Sequence, residues 1–165
     1  MDQRHLRSRT PPLHAHAALM WLFTALFGSR VLAQLVQHWF PQSFLPPFHA
    51  FQGSNLPYSI LLSAQILILT AMIRYSWYVQ MRKLSASLRT GLALLVGGGI
   101  YMTGSLARLA IGLTVHAAPA WFSAWISGVF HLVIAGFVLT LAACYLRSPY
   151  LKSPPRPLTQ ISRQN

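Results

Sequence analysis

Acidic side chains are almost missing from this chain: its 165 residues hold one, Asp2, against 13 lysines and arginines. That shortage excludes several chemistries at once. Glycosidase-type hydrolysis needs two carboxylates flanking one bond. Magnesium and calcium sites built from side chains need carboxylate oxygens, and proton relays in pumps rest on buried Asp or Glu. Cysteine is as scarce. Cys144 stands alone, which rules out an internal disulfide and any multi-thiolate metal cage, and it suits a small packing residue near the end of an apolar run. Walker, dinucleotide-binding and nucleophile-elbow patterns are absent. Gly97, Gly98 and Gly99 form a run that reads as packing space within a helix.

What is present is apolar. Hydrophobic residues make up 54% of the chain and charged residues 8%, where soluble domains carry about a quarter. Mean hydropathy is +0.45. Four runs come close to the ~20 residues that span hydrocarbon, at about 17–38, 57–78, 91–113 and 120–146. The expected fold is all-α: a polytopic membrane protein with four transmembrane helices in an up-down bundle. Residues 1–16 and 147–165 are basic and proline-containing, and are expected to be disordered tails. The layout alone resembles that of small bacterial membrane families of the DoxX type, a likeness that carries no residue across.

A pI near 11.4 would point to nucleic acid in a soluble protein. Here the cations instead flank the apolar runs. Arg4, Arg7 and Arg9 precede the first, Arg74, Arg82, Lys83 and Arg89 lie around the second connection, and Arg147, Lys152, Arg156 and Arg163 follow the last. The other connections, 39–56 and 114–119, contain no Lys or Arg. Lys and Arg are retained on the cytoplasmic side, so both termini are expected there, in a bacterial inner membrane, with anionic lipids rather than nucleic acid as partners. Val31-Leu32-Ala33 before Gln34 leaves a competing reading, in which residues 1–33 are a cleaved signal peptide; Arg30 just upstream is unusual for such a site.

The connection 39–56 carries Trp39, Phe40, Phe44, Phe48 and Phe51 among prolines. Aromatics favour the headgroup boundary and prolines break a continuous helix. The expectation is a segment flat on the outer interface, with a short helical turn from Phe48 to Phe51, serving as an anchor or as a lid.

Polar residues inside the runs define the candidate site. Arg30, Gln34, Gln37 and His38 are spaced i, i+4, i+7 and i+8 on one helix face, and Tyr101, Ser105 and Arg108 share another. Arg30 lies about 12 Å below the outer end of its run at 1.5 Å per residue, and Gln65 reaches the same depth. Ser123, Ser127 and His131 line one face of the last run, with His131 about 16 Å deep. Arg30, Gln34, Gln65, Tyr101, Ser105, Arg108, Ser127 and His131 are the candidate ligand-binding residues of a pocket open to the outside. Each arginine at mid-helix costs about 2.5–3.5 kcal/mol on insertion scales, so two of them require compensation. A bound anion, an acidic residue from a partner membrane protein, or carbonyls, glutamines and water could supply it.

The working expectation is a binding or accessory component, with no cofactor and no metal. A haem would need two axial histidines at one depth, and only His38 with His116 could form a pair, near the surface. One alternative is an intramembrane enzyme or a haem or quinone redox subunit, using His131 as a base beside Ser127. Another is a small oligomeric transporter.

Overall fold

The computed structural model describes residues 13–46, 48–51, 56–85, 87–114 and 125–152. They form five helices: α1 (Leu13–Trp39), α2 (Phe48–Phe51), α3 (Tyr58–Gln80), α4 (Leu88–Thr114) and α5 (Trp125–Lys152). No strand occurs among the described residues. The long helices α1, α3, α4 and α5 are each long and apolar enough to cross a membrane.

Local chemistry sets the helix ends. α1 starts at Leu13, directly after Pro11 and Pro12, four residues earlier than expected. Residues 13–16 are therefore helix rather than tail. The physical reason is that His14 and His16 find partners across the bundle, Arg82 Nη2 at 3.1 Å and Arg147 Nη1 at 3.2 Å. α5 runs past residue 146 to Lys152. Residues 1–12, 115–124 and 153–165 lie outside the described residues, and with them the expected start of the last run, Ser123 and His116. Ser87 caps α4, its Oγ accepting from the Thr90 amide at 3.3 Å. α3 ends in a Schellman pair, with Lys83 N–H on the Tyr78 carbonyl and Arg82 N–H on Val79. Arg82 occupies the left-handed position, φ 54°, that glycine normally fills. Its guanidinium gives the reason for arginine there, since it ties the end of α3 to the start of α1.

The buried core joins Ala17, Met20, Phe27 and Val31 of α1 to Met72 and Val79 of α3 and Phe137, Leu141 and Cys144 of α5. α1 thus runs unbroken through Ala33, with core residues upstream of it. α4 adds no fully buried side chain to this cluster; it leans on α5 through small residues. A Cβ on Gly91 would meet Leu146 at 2.8 Å, and one on Gly98 would meet Val138 at 3.0 Å, whereas Gly97 and Gly99 face open space. Of the glycine run, only the middle member makes a helix contact.

Polarity is distributed inside out. Thr24, Arg30, Gln34, Gln65, Ser76, Ser105, Arg108 and Ser127 are buried, while Leu32, Leu67, Val96 and Ile100 are exposed, Leu67 by 73%. Soluble proteins do not leave apolar faces of this extent in water. Hydrocarbon is the solvent that such a surface requires.

Candidate functional site

The site grows from α1. Arg30 and Gln34 stand one turn apart, 6% and 0% exposed. Gln34 Oε1 accepts from Gln65 Nε2 of α3 at 2.9 Å and more weakly from Arg30 Nη1 at 3.5 Å. Arg30 Nη2 donates to the carbonyl of Phe51 at 3.0 Å, so α2 is held to α1 by a charged side chain. The guanidinium also lies over the Phe130 ring of α5, 5.3 Å from its centroid, within cation–π range. Nε of Arg30, Nε2 of Gln34 and Oε1 of Gln65 are buried with no hydrogen-bond partner among the described residues.

These groups border a cavity of about 290 Å³. Its polar wall is Arg30, Gln65, Arg108, Ser127 and His131, and its apolar wall includes Phe27, Phe51, Ile68, Phe130 and Ile134. Five of the eight residues singled out from the sequence therefore reach one space from four different helices. Gln34 stands behind the wall and braces Arg30 and Gln65. Tyr101 is outside the lining, and its hydroxyl meets His131 Nδ1 at 2.5 Å, joining α4 to α5. Ser105 is buried but donates to its own helix, to the Tyr101 carbonyl at 2.7 Å. That is the usual fate of a helix serine.

The face expected at Arg30, Gln34, Gln37 and His38 divides. Gln37 Oε1 accepts from the Gln42 amide at 2.9 Å, shaping the connection after α1. His38 packs against Tyr58 and Phe48, with ring centroids 4.2 and 5.0 Å away. The expected turn at Phe48–Phe51 is present as α2. The aromatic connection has two parts: Trp39, Phe40 and Phe44 are exposed, whereas Phe51 is 5% exposed and covers the cavity.

Electrostatically, Arg30 meets an amide oxygen, a backbone carbonyl and a ring face, and none of these carries a full negative charge. Arg108, 5% exposed, brings a second guanidinium to the same wall. Two guanidiniums thus border one small cavity, and guanidinium forks in general match phosphate and carboxylate oxygens. A nucleophile–base contact is not formed: His131 is engaged by Tyr101, and Ser127 makes no hydrogen bond to it among the described residues. No group of three or more His, Cys, Asp or Glu among the described residues could hold a metal ion. Phe51 and Phe130 escape sequence reasoning, since a backbone carbonyl and a ring face carry no spacing signal. No family model, no curated protein and no solved structure matches this chain.

Proposed function

We propose that this chain is a small bacterial inner-membrane protein, a binding or accessory component whose outward-facing cavity holds an anionic group. The observation that carries the reading is that Arg30 and Arg108, buried on different helices, wall one cavity in a chain whose sole carboxylate side chain is Asp2.

The outward placement takes the helices as up and down with both termini cytoplasmic. His14 and His16 at the start of α1 meet Arg82 after α3 and Arg147 late in α5, which gathers the basic segments at one end. Gly91 meets Leu146, Tyr101 meets His131, and Gly128 meets Leu109, so α4 and α5 run in opposite senses. The cavity residues lie toward the other end, near the connections that hold no Lys or Arg, and the positive-inside rule turns that end outward. The core position of Met20, Phe27 and Val31 favours a retained first helix over a cleaved one.

Native mass spectrometry of protein solubilised in mild detergent tests this. The wild type is expected to retain phosphatidylglycerol in preference to phosphatidylcholine, or to carry an acidic partner of larger mass. Arg30→Leu is expected to lose that species. A wild type that retains neither, with Arg30→Leu indistinguishable from it, contradicts the proposal.

A further inference from the structure

α3 packs chiefly on α1 and α4 on α5, and α3 and α4 make no substantial contact with each other among the described residues. Both nevertheless wall the cavity, α3 through Gln65 and Ile68 and α4 through Arg108. A second cleft, of about 410 Å³, shares Arg30, Phe51 and Phe130 with the first as lining residues. Apart from Ser29 and Arg30 its lining is apolar, with Ala33, Leu45, Trp125 and Val129 among it. Arg30 therefore stands at a junction, with a polar space on one side and an apolar trough on the other. The two spaces together fall within the ~300–1,000 Å³ typical of small-molecule sites.

Resting on the anion-site reading above, we infer that the ligand is an anionic glycerophospholipid taken laterally from the surrounding bilayer. Its phosphate sits between Arg30 and Arg108, and one acyl chain lies in the trough past Trp125 and Val129. Charge complementarity selects the head. A phosphodiester presents two charged oxygens, one to each guanidinium, and its ester oxygens carry the glycerol backbone from which an acyl chain can enter the trough. The trough selects the tail, because the cleft wall beyond Arg30 offers almost nothing to a soluble phosphate. The bilayer supplies such a ligand at high local concentration.

Binding of four probes to the detergent-solubilised full chain separates head from tail: phosphatidylglycerol, phosphatidylcholine, oleate and glycerol phosphate. Phosphatidylglycerol is expected to bind about tenfold or more tighter than each of the others: net charge separates it from phosphatidylcholine, the phosphodiester from oleate, and a few buried methylenes from glycerol phosphate. Val129→Trp and Ala33→Phe add bulk to the trough lining and leave both arginines in the sequence. Each is expected to lower phosphatidylglycerol binding by about tenfold while leaving glycerol phosphate unchanged. Circular dichroism identifies any variant that has failed to fold, and either variant alone suffices. Oleate or glycerol phosphate binding as tightly as phosphatidylglycerol overturns the lipid assignment, as does unchanged phosphatidylglycerol binding in a folded trough variant. Failure of all three anions to bind would overturn the anion site itself, a distinct result.

Discussion

Gln34 is the residue on which the site's polar order turns. It is fully buried, and its Oε1 is shared between Gln65 and Arg30. Gln34→Glu would place a carboxylate of nearly the same shape beside Arg30, where the described contacts are an amide oxygen, a backbone carbonyl and a ring face. The expected outcome is a fold at least as stable in SDS titration, with phosphatidylglycerol binding weakened by about tenfold as the new carboxylate competes for Arg30. Unchanged lipid binding in this variant would argue that Arg30 does not face the ligand. Residue-scale features were legible wherever helix geometry alone decides them. Arg30, Gln65, Arg108, Ser127 and His131 meet because rise per residue places them at one depth and periodicity turns them inward. Tyr101 and Ser105 share the Arg108 face but not its cavity, because a phenol long enough to reach His131 and a serine short enough to bond its own helix both found nearer partners.

Between elements, α4 is the informative case. Gly91, Gly98 and Ser105 recur every seven residues on its buried face, which lets α4 approach α5 closely. In the sequence the run at 97–99 reads as one block of packing space, and nothing in it singles out the member that makes contact. The choice depends on the rotation of α4 about its own axis, which α5 sets through Val138 and Leu139. Gly98→Leu is expected to destabilise the protein by about 1–3 kcal/mol, as overpacking does. Gly97→Leu, whose Cβ meets nothing within 4 Å, is expected to be neutral within error. SDS or urea titration followed by circular dichroism checks the pair, and equal effects at the two positions would show that α4 does not turn Gly98 alone toward α5. α2 presents the opposite situation. Its existence was legible from aromatics set among prolines, but its attachment through the Phe51 carbonyl to Arg30 was not.

At the scale of the whole molecule, charge asymmetry and the cavity make one account. Arginines at the basic end tie α1 to α3 and α5 by hydrogen bonds to His14 and His16, and those near the other end wall the cavity. If the positive-inside rule sets the orientation, a cysteine at Ser43 in a Cys144→Ala background reacts with a membrane-impermeant maleimide in intact cells. A cysteine at Ser85 reacts only after lysis, and the reverse pattern would invert the topology. Four membrane-spanning helices were legible from composition, run length and flanking charge, because the bilayer forces those features onto the sequence. The lack of close packing between α3 and α4 among the described residues was not, since it depends on which pairs of helices pack. The central claim is that an anion occupies the space between Arg30 and Arg108. A crystal structure grown in a lipid mesophase doped with phosphatidylglycerol measures this most directly. The account predicts phosphate density within hydrogen-bonding distance of both guanidiniums. Finding both satisfied only by protein carbonyls, glutamine and water, with no anion between them, would contradict it.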